Sequence, residues 1–289
     1  MTVIEFGKRF PNEDVCLQKI FNLKYGNLKH CPKCSVENPK FYKIKNRKCY
    51  ECGKCGHQIF PLVGTIMEKS STSLVLWFMA IYEFSINKQG ISIRRLRDRL
   101  GVTLKTAWRM CHKIRSVMQD DNDMILSGIV EIDECLLGGK ARGKRGWGAN
   151  NKICVFGMIE RKGRVKLKVV ENRKYDTLIP IINNSIKKLS TIYSDEFKVY
   201  KNLKYLNYHH ESICHSEYEW SNEDCHTNSM EGFWSNLKKW IRGTHTWVSK
   251  KYINYYLNEF CFRHNRRTLG NGGIFDEILN GVAGLKPSV

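Results

Sequence analysis

Three acids in this 289-residue sequence stand where phosphodiester chemistry would want them. Asp133 follows the apolar run Ile129-Val130-Glu131-Ile132, and Asp195 follows Ile192-Tyr193-Ser194. Both runs read as short buried strands ending in an acid, and neighbouring strand ends in one sheet bring carboxylates side by side. Glu231 lies on a helical stretch with Lys238 seven residues on, two turns along the same face. Cutting a phosphodiester calls for divalent ions near the scissile phosphate, which activate a water or 3′-hydroxyl and stabilise the leaving oxygen. Mg²⁺ (or Mn²⁺) takes carboxylate oxygens and keeps several waters, so two or three acids suffice. Spacing alone does not assign the role. With 28 Asp and Glu in 289 residues, many acid pairs match any chosen gap. Taken singly, Asp133 and Asp195 read equally well as turn formers and Glu231 as part of a solvated helix face.

The cysteines carry a second chemistry. Cys31-Pro32-Lys33-Cys34 and Cys52-Gly53-Lys54-Cys55 are two Cys-x-x-Cys knuckles separated by seventeen residues, the spacing of a four-thiolate Zn²⁺ site. Cys49 with Cys52 forms a competing pair. Gly53 and Gly56, in and just after the later knuckle, favour Cys52 and Cys55. His30 and His57 read as bystanders. Such a ribbon binds DNA, binds protein or staples a small fold, and the cysteines do not say which.

Three regions position these groups: an N-terminal region with the ribbon (1–66), a helical region (67–124) and a mixed region of strands and helices (125–289). Ser70-Ser71-Thr72-Ser73 offers N-cap types before the apolar helix from Leu74 to Phe84. Leu96 and Leu100 share a helix face. Gly101 can take the positive φ of a tight helix end, and Thr103 can cap the next helix. That pattern predicts a helix-turn-helix, its second helix presenting Lys105, Arg109, Lys113 and Arg115 to DNA. An ordinary helical hairpin fits the same pattern. In the third region strands are predicted at Ile153 to Ile159 and Val165 to Val170 around a Lys162-Gly163 turn, with helices at Thr177 to Leu189, Thr227 to Trp240 and Ser249 to about Asn265. A hairpin, a crossover helix and a return strand make an α/β core. The stripe of Trp234, Leu237, Trp240 and Ile241 reads as core, and His209, His210, His215 and His226 as scattered surface histidines.

Charge narrows the partner. The sequence holds 48 Lys and Arg against 28 Asp and Glu, a net of +20 and a pI near 9.5, which suits a polyanion. A lysine-rich coding bias would raise the charge too. Lys140, Arg142, Lys144 and Arg145 lie in a glycine-rich loop with Trp147, able to close on phosphates. Arg263, Arg266 and Arg267 contact phosphates or pair with acids. No run is apolar for long enough to span a membrane, and the N-terminus lacks the apolar core of a signal peptide. The expectation is an intracellular protein, in cytoplasm or nucleoid if bacterial, whose cysteines are ligands or free thiols.

Several stretches resemble one family. Glu131-Ile132-Asp133-Glu134 with Gly138-Gly139-Lys140, Ser194-Asp195 with Tyr200, and His226-Thr227-Asn228-Ser229-Met230-Glu231-Gly232-Phe233-Trp234-Ser235-Asn236-Leu237-Lys238 resemble the three acidic segments of DDE-type bacterial insertion-sequence transposases with an N-terminal zinc ribbon. Thr246-Trp247-Val248-Ser249-Lys250-Lys251 and Glu259 through Arg267 resemble later parts of the same family, and the likeness covers nearly the whole chain. It implies an RNase H-like core after a zinc ribbon and a helix-turn-helix. It further implies Asp133, Asp195 and Glu231 as Mg²⁺ ligands, Lys238 touching DNA, and Asn228 sharing the third ligand's role, since some relatives use asparagine. The implied reaction is metal-dependent cutting at the terminal inverted repeats of an element and transfer of 3′-hydroxyl ends into target double-stranded DNA, by a dimer or larger assembly. Two other readings compete: a non-catalytic DNA-binding regulator, and an RNase H-like nuclease that cuts without joining.

Overall fold

A computed structural model describes residues 1–119, 124–138, 152–212 and 228–284. The chain divides into two compact units, Met1–Met118 with Thr268–Val289, and Gln119–Arg267. The first unit opens with helices α1 (Val3–Arg9) and α2 (Glu13–Tyr25), which the sequence reading did not anticipate. Thr2 and Glu5 form a capping box on α1, and Asn12 caps α2. Three short antiparallel strands follow: β1 (Phe41–Lys43), β2 (Tyr50–Cys52) and β3 (Gln58–Ile59). Helix α3 (Leu74–Ile86) is capped by Ser73 and buried nearly all round. Helices α4 (Ile93–Leu100) and α5 (Leu104–Val117) meet at Gly101, whose φ of +63° is the left-handed turn its sequence position predicts. Thr103 caps α5 as expected.

The second unit is built on one mixed sheet. Strands β4 (Ile129–Leu137), β5 (Ile153–Glu160) and β6 (Val165–Val170) form an antiparallel meander, turning at Lys162 with φ +59°. Helix α6 (Tyr175–Ser185) crosses over to β7 (Thr191–Ser194), which lies parallel to β4. A 3₁₀ segment (Lys198–Leu206) leads to β8 (His209–Ser212), parallel to β7. The order β6-β5-β4-β7-β8, three antiparallel strands extended by two parallel ones, is an RNase H-like core. Helix α7 (Asn228–Trp240) runs on into a π-helical turn (Ile241–His245), and α8 (Ile253–Asn265) follows.

Period-two alternation on β4 sorts the two layers. Val130 and Ile132 join Leu178, Ile182 and Tyr200 on one face of the sheet. Cys135 and Leu137 join Met230, Trp234, Leu237 and Trp240 on the other, so the tryptophan stripe of α7 is core, as its spacing suggests. The chain closes with α9 (Asn271–Val282), whose Phe275 and Ile278 are fully buried and which packs on α3 and α5 of the first unit.

Candidate active site and zinc centre

Register explains how two of the predicted acids meet. Strand β4 pairs with β7 through Glu131↔Tyr193, so two residues further on Asp133 comes level with Asp195, just past the end of β7. Carboxylate oxygens of Asp133, Glu134 and Asp195 all lie within 4.8 Å of one another. Glu231 approaches Asp133 from α7, near enough to act on its charge but outside that oxygen cluster. Glu231, Trp234, Ser235 and Lys238, on one helix face, line a cavity with Asp133, Glu134 and Cys135. Asn228 faces elsewhere: it lines a separate cavity with Lys162, Gly163 and Asn236.

Each acid of the cluster is held by a named donor. The indole of Trp234 donates to Asp133 Oδ2 at 2.9 Å. The Tyr200 hydroxyl, fully buried, donates to Glu134 at 2.7 Å. Phe197 N donates to Asp195 Oδ1 at 3.1 Å. Burial raises the Asp133 carboxyl to about 6, and repulsion from Asp195 and Glu231 adds to the rise against hydrogen bonds from Glu134 N–H and Trp234. Burial likewise raises Glu134 to about 7, opposed by the Tyr200 hydrogen bond. Burial also pushes the Cys135 thiol up, against the pull of Lys238.

Glu131 is the residue the sequence reading passed over. Its side chain is fully buried, on the same face of β4 as Asp133. It accepts from Ser229 Oγ at 2.9 Å, from Met230 N at 3.0 Å and from Arg161 Nε at 3.1 Å. A carboxylate on the first N–H groups of a helix is doubly favoured, by hydrogen bonding and by the helix dipole. This contact fixes the N-terminus of α7, and with it Glu231, against the strand that carries Asp133. Gly157 on β5 lets α7 settle there, since a Cβ would overlap the side chains of Met230 and Trp234. A glutamate inside an apolar run was the available signal, because a buried charge needs a partner.

The basic residues fare differently. Lys238 is exposed at the cavity, and Lys105 is exposed on α5. Arg109 is half-buried and donates to Thr72 Oγ1 at 3.0 Å, and Lys113 donates to Ile66 O. Arg115, expected to face outward, is instead fully buried and donates to Ile91 O, because it shares the inner face of α5 with Cys111 and Met118. Arg263 pairs with the buried Glu259 at 2.8 Å, Arg266 is buried with its guanidinium 4.1 Å from the Phe262 ring, and Arg267 donates to the carbonyls of Lys162 and Gly163. Lys140, Arg142, Lys144 and Arg145, with His215 and His226, lie outside the described residues. Of the remaining histidines, His210 is buried in β8 and bonded to Ser194 Oγ at 2.9 Å, so it is not a surface residue.

In the ribbon, all four predicted sulfurs converge. Cys31 Sγ and Cys55 Sγ are 3.8 Å apart, Cys34 Sγ and Cys52 Sγ 4.0 Å, and all four lie within 4.8 Å. Tetrahedral zinc with bonds of about 2.3 Å needs sulfurs roughly 3.8 Å apart, so this donor set fits Zn²⁺. Backbone N–H groups, that of Cys34 first, lower the Cys31 thiol to about 6, while Cys55, despite the hydrogen bond from His57 N–H, is raised to about 11 by burial and the neighbouring sulfurs. Gly56, at φ +68°, closes the second knuckle by donating to Cys52 O. Cys49 is buried outside the group.

Among the described residues no helix is long and apolar enough to cross a membrane. Residues 125–265 match the ISXO2-like transposase domain, and residues 11–58 match the transposase zinc-ribbon domain. A protein in transposable element ISH50 of Halobacterium salinarum is 26% identical over 89% of this chain and 92% of its own. A transposase-like protein of Haemophilus influenzae is 31% identical over 36% of this chain and 83% of its own. Among solved structures, a pre-cleavage Mos1 transpososome is similar over 73% of this chain and 79% of that one, with 12% identity and a TM-score of 0.27, too slight a likeness to carry an argument. Ribbon and transposase domain match in the order in which the two units present them, and the chain belongs to the insertion-sequence transposases that carry an N-terminal zinc ribbon.

Proposed function

We propose that this transposase cuts and joins DNA strands with divalent ions held by Asp133, Asp195 and Glu231. What supports the proposal is that Asp133 meets Asp195 from an adjacent strand and lines one cavity with Glu231 and Lys238 from a helix. The donor set is hard oxygen, and burial and mutual repulsion oppose the charge of Asp133, a cost that a bound cation would relieve. When bound, Mg²⁺ or Mn²⁺ would activate the attacking water or 3′-hydroxyl and stabilise the leaving oxygen. The rest falls to the chain. Trp234 orients Asp133, and Glu131 holds α7 in register with β4. Glu134, tied to Tyr200, stands as a fourth acid beside the pair. Lys238 meets a DNA phosphate as a point charge. The net charge of +20 supplies the sequence-independent part of DNA binding, with Lys105 on the second helix of the helix-turn-helix as one contact. Bringing two element ends together calls for a dimer or larger on DNA.

The test is a joining assay. Purified protein is incubated with duplexes of the repeats flanking its gene and a plasmid target, in Mg²⁺, Mn²⁺ or EDTA. Metal-dependent cuts at discrete ends followed by joined products support the proposal. Cuts without joining would leave a nuclease, and binding without cutting a regulator.

A further inference from the structure

A second cavity adjoins the acids and shares Leu136 and Lys238 with their cavity. Its volume is about 400 Å³, within the range of small-molecule sites. The floor is apolar: Leu137, Ile153, Val248 and Ile253 are all buried. The rim carries Lys152, Lys238 and Arg242, and beside them Trp247, 62% exposed. An indole so exposed at a pocket mouth does not serve the core.

The backbone that presents it is unusual twice over. Helix α7 ends in a π-helical turn at Ile241–His245. Thr246 then adopts φ +63° and ψ −58°, and Trp247 N donates to His245 O at 2.6 Å. This is a γ-turn with positive φ at a β-branched residue, a rare and strained form. Such strain is kept where the surrounding structure over-determines it, commonly at ligand sites.

We infer that this cavity takes one unstacked nucleobase of the DNA strand being cut, stacked on Trp247, with its flanking phosphates on Lys152, Lys238 and Arg242. Apolar floor, exposed indole and cationic rim match the parts of a nucleotide: flat apolar base and anionic backbone. Continuity with the acids puts that nucleotide beside the scissile phosphate. A base drawn out of the stack there costs unstacking energy and gives the strand a fixed register on the enzyme. The inference rests on the DNA-cutting reading above.

A cycle between side chain and base tests it. Full-length wild type, Trp247→Ala and Trp247→Phe are titrated with element-end duplexes in Ca²⁺. Each duplex lacks one base, at successive positions around the cleavage site. Trp247→Ala should weaken binding of the intact duplex about ten-fold, and Trp247→Phe should keep most of the affinity. At one position next to the cut, removing the base should abolish the difference between wild type and Trp247→Ala. An equal loss at every position, or no loss at all, would overturn the base pocket while leaving DNA binding standing. Failure of wild type to bind any duplex would overturn both readings.

Discussion

Replacing Glu131 should damage both the fold and the chemistry, by amounts that separate. Its carboxylate has no exposure and accepts from Ser229, Met230 N and Arg161. Glu131→Ala leaves all three donors without their acceptor at once, and breaking a buried ion pair by deleting one partner costs about 3–5 kcal/mol. For a unit of this size that lowers the melting temperature by roughly 10 °C. Glu131→Gln keeps the shape and one acceptor but loses the charge, so about 2 kcal/mol is expected. The decisive reading is activity at a temperature where Glu131→Gln is still folded. A shift of α7 by about 1 Å, carrying Glu231 away from Asp133, costs on the order of a hundred-fold in rate. Thermal unfolding and single-turnover strand cutting, measured on the same preparations, give both numbers. Duplex affinity should change little, because Glu131 faces the interior. Wild-type stability and rate in Glu131→Gln would refute the anchoring role.

Other predictions follow from the same geometry. Gly157→Ala forces a methyl against Met230 and Trp234 and should cost about 1–3 kcal/mol, with cutting reduced more than in a surface control. In EDTA, Asp133→Asn should be more stable than wild type at neutral pH. A carboxyl raised from 3.8 to about 6 by burial is neutral in both states at low pH, and it penalises the fold as pH rises towards 6, because the unfolded chain ionises first. The stability difference should therefore grow between roughly pH 4 and 6, reach about 3 kcal/mol, and then level off. The difference also cancels His112, His210 and His264, each lowered to about 4 by burial, which act in the opposite direction. A flat difference in denaturant titrations at several pH values would contradict the burial of Asp133. Chelation should release one zinc per chain and unfold the ribbon, since a structural zinc site contributes about 10–16 kcal/mol of binding free energy. Zinc retained by a Cys52→Ser variant under the same chelator would count against the four-sulfur site.

Legibility followed local signals. Asp133 and Asp195 were readable because each ends a short apolar run, and period-two strands bring such ends together. The four-cysteine cluster was readable because knuckle spacing is set by backbone turns, as Gly56 shows. The turn between α4 and α5 was marked by Gly101 and Thr103. What stayed hidden depends on tertiary partners. Nothing local distinguishes Arg115, fully buried, from Lys105, exposed on the same helix. The strand β8 and the 3₁₀ segment before it have weak patterns and are held by pairing with β7. Glu131, Glu134 and Tyr200 were in plain view within matched stretches. Their roles emerge only once β4, the 3₁₀ segment and α7 are brought together.

Single-turnover cutting by Asp133→Asn, Asp195→Asn and Glu231→Gln, beside wild type and Glu134→Gln, addresses the three-carboxylate site most directly. Duplex binding should persist in every variant while metal-dependent cutting at the element ends falls at least a hundred-fold in the first three. Cutting that survives in any of these three, or that only Glu134→Gln abolishes, would contradict the assignment of Asp133, Asp195 and Glu231.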